Sequence, residues 1–419
     1  MMDLYADLHI HSRYARATSK DLNLENLEKY ARVKGLGLLG TGDFQHPKWQ
    51  QEVREKLSEE GDGILRSKSG FPFIWQTEIA VVYTQGGRGR RIHHIILAPN
   101  ADVVTQITDF LKRKGRVDYD GRPIFGFSSI ELVDSMMSIS EDIEIIPAHA
   151  WTPWFGVFGG MSGFDSLKEC FGDRADKIHA IETGLSSDPP MNWRIRELDR
   201  VTLLSNSDCH SFWPWRIGRE ANIFELPELS YKGIIRAIRN RSVKGTIEVD
   251  PAYGKYHFDG HRACGVCLSP AESLKNMDIC PKCRRRLTIG VLHRVEQLAD
   301  RPAGEKPDGA AGFFSVIPLS EIIGMVQRCP VASAKTWKVY NQLIEAFGNE
   351  YALLLDMPQE ELAKACGGKL ADAIMMNRDG RLKVEPGYDG EYGVPRWGDE
   401  RRKVETEKPA HSQRTLGMF

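Results

Sequence analysis

The sequence predicts an α/β fold in which parallel strand–helix units close into a barrel, followed by a small cysteine-bound metal module and a helical region. Three observations predict it. From Leu4 to about Val249 short apolar runs alternate with segments of helical period. Seven or eight such units favour a closed barrel over an open sheet. Two C-x-x-C pairs between Cys264 and Cys283 then break the pattern abruptly.

Strands are predicted over residues 4–10, 36–40, 74–82, 92–97, 143–147, 178–183, 201–205 and 222–224, where β-branched and other apolar residues cluster. Helices are predicted between them over 24–34, 48–58, 101–114, 130–139 and 192–198, with an amphipathic helix over 231–239. Residues 251–263 read as an aromatic, polar connection, and 300–312, rich in Pro, Gly, Asp and Lys, as a linker. The pattern is helical from 319 to 376 and hairpin-like over 377–395, and from Gly398 it is charged and aperiodic. The expected units are a catalytic barrel over 1–250, a zinc-binding module over 251–300, a helical domain over 301–397 and a disordered tail over 398–419.

Composition narrows the class. Hydrophobic residues make up 41% and charged residues 27% of the chain, the balance of an ordinary globular protein. No run of 18 apolar residues is present, so no membrane span is expected. The first residues carry acids and no apolar stretch, unlike a signal peptide, so a cytoplasmic protein is expected. The net charge of −1 decides nothing about nucleic acid, because a neutral total can hide a basic groove. Four of the eight cysteines are paired as C-x-x-C and four are scattered, which fits one metal cluster inside a reducing compartment better than a disulfide framework.

Six pieces carry candidate metal ligands: His9-Ile10-His11, Thr41 to His46, Glu78, His93-His94, His149 and Asp208-Cys209-His210. Side chains two apart on a strand share a side, so His9 with His11, and Asp208 with His210, each present two ligands to one place. Each piece ends or follows a predicted strand, where barrel enzymes keep their chemistry. Imidazoles and carboxylates together suit Zn, Mn, Mg or Fe, and so many donors call for two or three ions. Glu78 is the best candidate to bridge two of them, and with Asp208 and His210 it forms the expected catalytic set.

Cys264-x2-Cys267-x12-Cys280-x2-Cys283 has the spacing of four thiolates closing a tetrahedral shell, so a structural zinc is expected there. Lys282, Arg284, Arg285 and Arg286 crowd its last knuckle and are candidates for DNA phosphate contact. Trp151 and Trp154, just after His149, are candidates to stack on an extruded base.

The order H-x-H at the first strand, T-x-D, Glu, His, A-H and finally S-D-x-H resembles the signature of PHP phosphoesterases over roughly residues 5–250. That resemblance implies a distorted (β/α)7 barrel and points to Asp43 and His94 as ligands with His9, His11, Glu78, His149, Asp208 and His210. The second motif departs from the usual Thr-Asp-His, which leaves Asp43 or His46 open, and Asp21 fills the missing position only if its loop is longer. Thr183 to Arg194, Gly245 to Glu248 and Gly254 to Arg262 are in turn similar to one PHP subgroup, the endonuclease Q family. This resemblance implies a DNA repair nuclease that nicks on the 5′ side of deaminated bases (uracil, hypoxanthine, xanthine) or abasic sites. Lys255 and His257 within the last stretch are then expected at the DNA. A PHP phosphatase for a small phosphate monoester is the alternative. The final residues, Gln413, Leu416 and Phe419, match the Q-x-x-L-x-x-F of sliding-clamp-binding tails and imply a clamp as partner in an archaeal, nucleoid-associated protein.

Overall fold

Local signals set the helices of the catalytic half. The computed structural model describes residues 2–396; Gln413, Leu416 and Phe419 lie outside them. Strand β1 (Met2–Asp7) leads into α1 (Leu24–Lys34), which starts where the Asn23 side chain accepts a hydrogen bond from the Asn26 amide and stops at Gly35, φ 102°. Then follow β2 (Leu38–Gly40), α2 (Pro47–Lys56), the short β3 (Ser58–Glu59) and β4 (Leu65–Arg66), the long β5 (Pro72–Gln85) and β6 (Arg88–Ala98), and α3 (Ala101–Lys114). Next come β7 (Ile124–Phe125), α4 (Ser129–Ile139), β8 (Glu144–Pro147), α5 (Leu167–Phe171), β9 (Ala180–Glu182), α6 (Pro189–Asn192), β10 (Thr202–Leu204), β11 (Ala221–Leu226), α7 (Tyr231–Arg239) and β12 (Gly245–Glu248). Helix α7 buries Tyr231, Ile234, Ile235 and Ile238 against the apolar sheet residues Leu4, Ile95, Leu97, Ile146 and Phe224. Each such aliphatic side chain contributes about 1.5–3 kcal/mol.

The sheet is mixed, not parallel throughout. Strand order is β15 (Gly312–Ser315), then β12-β11-β1-β2-β5-β4-β3, with β6 paired to β5 and β8, and β9–β10 form a separate parallel pair. Among the described residues these ladders do not close into a ring of pairs. Antiparallel pairs include β1–β11, β11–β12 and β6–β8, joined through long connections, and β5–β6, joined by Gly86 and Gly87, φ 61° and 71°, in a two-residue hairpin. The expected helix over 192–198 is instead the four-residue α6 followed by a 3-10 turn over Arg196–Arg200. Pro189 and Pro190 set its start, with the Asp188 side chain accepting from the Met191 amide.

After β12 the chain forms a small unit of β13 (Asp259–His261), β14 (Val266–Leu268) and α8 (Pro270–Lys275), then α9 (Val291–Leu298). Strand β15 (Gly312–Ser315) pairs with β12 and leads to α10 (Leu319–Gln327), α11 (Ala334–Phe347), α12 (Gln359–Cys366) and α13 (Gly368–Arg378), which share a core of their own. The hairpin of β16 (Lys383–Glu385) and β17 (Val394–Arg396) ends the described chain. A buried ion pair ties this helical part to the rest. Lys34 Nζ lies 2.7 Å from Glu350 Oε1, whose other oxygen accepts from Tyr340 Oη at 2.7 Å. No described helix is long and apolar enough to cross a membrane.

Candidate metal centre

The centre is assembled where β1 ends. Ile10 bridges to Cys209 and the His11 amide donates to the Cys209 carbonyl at 3.2 Å, so the segments 9–11 and 208–210 lie side by side. Asp208 Oδ1 stands 3.1 Å from His11 Nε2 and 3.7 Å from His9 Nε2. Glu78, fully buried on β5, reaches both groups of histidines. Its Oε2 lies 3.4 Å from His9 Nε2 and 3.1 Å from His11 Nε2; its Oε1 lies 2.8 Å from His93 Nδ1 and 3.2 Å from His149 Nε2. One carboxylate therefore joins two sets of donors, His9–His11–Asp208 and His93–His149.

These contacts fit cations. His9 Nε2, His11 Nε2 and Asp208 Oδ1 are buried and make no hydrogen bond, although they crowd one another. Buried polar atoms are rarely left so unless an ion or water satisfies them. Lone pairs converging from nitrogen and oxygen are a zinc- or manganese-type donor set. The electrostatics agree. Burial lowers the proton affinity of His9 and His11, but Glu182, Glu78 and Asp208 around the first, and Asp43, Asp208 and Glu78 around the second, hold both well above the ordinary value. Burial raises Glu78 while His93, Arg122 and His9 hold it well below the usual carboxylate range. Asp208 is likewise held low, against burial, by His9, His11 and His210. A site that pulls protons onto its histidines in this way is strongly negative and attracts metal in their place.

A surrounding shell fixes the rings. Glu182 lies 3.0 Å from His9 Nδ1 and accepts from the His149 amide at 2.7 Å; Asp43 Oδ1 lies 2.9 Å from His11 Nδ1 and Oδ2 accepts from the Ser12 amide at 2.6 Å. Each carboxylate selects the tautomer that leaves Nε2 free for a cation. Backbone strain concentrates here too: Asp43, His149 and Asp208 have φ of 42°, 30° and 46°. Gly184, φ 63°, lets the chain pass where a Cβ would sit 2.8 Å from that of His149. At the rim, Arg122 Nη1 lies 3.2 Å from Glu78 Oε2 with its side chain 29% exposed, and Trp213 and Trp215 stack at 5.4 Å in the loop after His210.

Several expected residues stand elsewhere. His94 turns away from Glu78 and its Nε2 meets Ser129 Oγ at 2.9 Å; His93 takes the place beside Glu78. The register explains this. Ala80 pairs with His93 and Ile79 with His94, so His93 shares a face with Glu78, two residues from Ala80. Asp43 orients His11 rather than joining the donors around Glu78. His46 stacks on Tyr14 at 4.5 Å, and Asp21 is exposed in the turn before α1. His210 sits beside the donors, its ring 4.5 Å from that of His11, outside the converging set.

Trp151 is fully buried, with Nε1 donating to Asn192 Oδ1 at 2.8 Å, so it is core and not a DNA contact. His257 is buried against Phe258, and burial pushes its pKa down to about 4; it too is packing. Trp154 is 37% exposed, Lys255 lies over the Tyr392 ring, and Arg284, Arg285 and Arg286 are exposed. Of the pair His93-His94 the sequence pattern favours His94, and it singles out neither Glu182 nor Arg122.

The cysteine cluster also differs from expectation. His261, Cys264, Cys280 and Cys283 converge, with His261 Nδ1 3.5 Å from Cys283 Sγ, while Cys267 Sγ faces the Pro386 carbonyl at 4.0 Å. Cys267 lies inside β14, paired with Gly260, and the strand turns its side chain away from the knuckle. Three thiols and one imidazole are a donor set that suits a closed tetrahedral zinc site.

Comparison with known proteins follows these features. A family model described as the MJ0043 C-terminal domain matches residues 318–381. The Methanocaldococcus jannaschii protein MJ0043 is 32% identical over 287 residues, 67% of this chain and 35% of that protein, so the chain spans about a third of that relative's length. Bacillus subtilis YqxK is 28% identical over 417 residues, covering 94% of this chain and 99% of that one. The lesion-specific endonuclease PfuEndoQ of Pyrococcus furiosus has 33% identity and a TM-score of 0.85 over 96% of this chain and 98% of its own. An endonuclease Q solved with a 27-mer duplex bearing an abasic lesion at its active site gives 33% identity and a TM-score of 0.86 over 96% and 99%.

Proposed function

This chain belongs to the endonuclease Q family, and on that premise we propose that it is a metal-dependent DNA repair endonuclease that hydrolyses the phosphodiester 5′ of a deaminated base (uracil, hypoxanthine or xanthine) or an abasic site. The observation that carries this reading is the bridging carboxylate: Glu78 meets His9 and His11 with one oxygen and His93 and His149 with the other. The substrate reading rests on the relatives, one of which was solved on an abasic duplex.

Two or three divalent ions (Zn, Mn or Mg) held by His9, His11, Glu78, His93, His149 and Asp208 would supply a hydroxide at neutral pH and positive charge opposite the phosphate. Glu182 and Asp43 keep the imidazoles of His9 and His11 in the ligating tautomer. Arg122, half-buried at the rim and 3.2 Å from Glu78 Oε2, would offer its fork to a phosphate oxygen. His210, its ring 4.5 Å from that of His11 at the edge of the cluster, would face the scissile phosphate. Trp154 and Arg284 to Arg286, which are exposed, and the half-buried Lys255 are the groups that would follow the DNA. The mixed sheet is read as a distorted PHP barrel over 1–250, with a zinc module over 251–300 and a helical domain over 301–397. A sliding clamp bound through Gln413, Leu416 and Phe419 remains part of this reading.

The test is a panel of end-labelled duplexes carrying one uracil, hypoxanthine, xanthine or abasic site, or none. A single cut 5′ of the lesion and none in the undamaged duplex is expected. Hydrolysis of small phosphate monoesters with no cut in any duplex would replace the reading with a phosphatase.

A further inference from the structure

A third group of donors lies between the cysteine cluster and α9. Asp259 on β13, Asp278 in the turn after α8 and His293 on α9 each bring a ligand atom within 4.8 Å of the others. His293 is 1% exposed and Asp259 fully buried. Asp259 Oδ2 accepts from His293 Nδ1 at 2.6 Å while its Oδ1 accepts from the Gly290 amide, also at 2.6 Å. With Nδ1 committed to Asp259, the ring's remaining valence is Nε2, and Nε2 is buried without a hydrogen-bond partner. Asp278 Oδ1 and Ser273 Oγ are buried without partners as well, and the Asp278 amide donates to the Ser273 carbonyl at 2.9 Å, which keeps the two together. Buried polar atoms left without partners on neighbouring side chains, as on Asp278 and His293, are expensive unless something fills the space between them.

We propose that Asp259, Asp278 and His293 form a second metal site of this part of the chain, one that takes a divalent cation through imidazole nitrogen and carboxylate oxygen. The Asp259–His293 pair has the carboxylate–imidazole arrangement that orients a histidine for metal, and Asp278 supplies the facing charge. One nitrogen with one or two carboxylate oxygens suits zinc or manganese; calcium asks for six to eight oxygens. Water would complete the shell. The site is distinct from the thiolate cluster: Asp259 and His261 are two residues apart on β13, roughly 6–7 Å along the strand.

The ion would lock the module's orientation. Helix α9 carries Arg294, which donates to the Phe158 carbonyl at 2.9 Å and the Phe164 carbonyl at 3.1 Å, and Glu296, paired with Arg194 at 2.9 Å. A cation fixing β13 and the α8 turn onto α9 therefore fixes them onto the segment that follows His149.

Metal content tests it. Full-length wild type, Asp278→Asn and His293→Gln are loaded with zinc, or separately with manganese, desalted, and counted by plasma mass spectrometry. In parallel, cobalt-substituted samples are read for the thiolate-to-cobalt charge-transfer band of the cysteine cluster. Each variant is expected to hold one metal equivalent per chain less than wild type with the charge-transfer band unchanged. Should His293→Gln fail to fold, Asp278→Asn decides alone, because its side chain is partly exposed and its Oδ1 bonds nothing. An unchanged count in Asp278→Asn overturns the site and leaves a water-filled polar pocket.

Discussion

His93 Nδ1 lies 2.8 Å from Glu78 Oε1, while His94, its neighbour, turns to Ser129 Oγ at 2.9 Å. The two histidines should therefore fail differently. His93→Ala is expected to lower nicking by roughly 100-fold or more with the fold kept, because it strips a donor from the centre. His94→Ala is expected to cost about 2–4 kcal/mol of stability and to leave the folded fraction active, because it opens a cavity and leaves the Ser129 hydroxyl with Tyr83 Oη but without the imidazole. Nicking rates and thermal unfolding of both variants check this; the reverse pattern would mean that β6 is read on the wrong face.

The cysteine cluster gives a second discrimination. If His261, Cys264, Cys280 and Cys283 hold a structural zinc, His261→Ala and Cys280→Ser are expected to lose it and destabilise the module, because a closed metal site of this kind contributes folding free energy. Cys267→Ser should keep it, since that thiol faces Pro386. Loss of zinc from Cys267→Ser would restore the four-cysteine set.

Glu248 gives a pH dependence. Burial and the nearby Asp188 raise its carboxyl from 4.5 to about 8, against hydrogen bonds from Thr246, Thr183 and Ser205. Glu220, buried beside it, is also raised. Across this window the folded chain holds a proton that the unfolded chain has released, so stability present at low pH is lost as pH rises towards the folded pKa. Glu248→Gln, neutral throughout, should flatten that decline and gain roughly 1–3 kcal/mol on wild type between about pH 5 and about pH 8. Parallel slopes in denaturant titrations across that range would show that Glu248 is ionised in the folded protein.

The tail should serve a partner and leave the chemistry alone. Deleting residues 413–419 removes none of the donors described, so nicking of a short duplex is expected to persist. Calorimetry against an archaeal sliding clamp should show modest binding by the full chain and none by the truncated one. Equal binding by both forms would make the match at Gln413, Leu416 and Phe419 accidental.

Much of the scaffold was legible because its signals are local. Caps and periodicity predicted residues 24–34, 101–114 and 231–239, and helices span those residues. His9, His11, Glu78, His149 and Asp208, named from strand ends, do meet. What failed needed pairing. His93 could have been found from the Gly86-Gly87 turn: Gln85 opposite Arg88 fixes the register that sets Ala80 opposite His93. Glu182, the last residue of β9, and Arg122, in the loop before β7, are far in sequence from the other donors, and no spacing announces them. Cys267 followed the C-x-x-C pattern in sequence, but the β13–β14 ladder decides which way its side chain points, and His261, three residues before Cys264, fills the gap. Trp151 looked like a ligand-facing aromatic and proved to be core, the commoner fate of a large ring.

The central claim is that the donors around Glu78 hold metal that cuts DNA at a lesion. The direct measurement compares wild type with Asp208→Asn on one abasic-site duplex, after chelation and after adding back manganese or zinc. Wild type should cut 5′ of the lesion only with metal. Asp208→Asn should stay folded, bind the duplex and fail to cut under either condition, because the amide no longer supplies the charged oxygen 3.1 Å from His11. Cutting by Asp208→Asn at the wild-type rate, or by chelated wild type, would contradict the account.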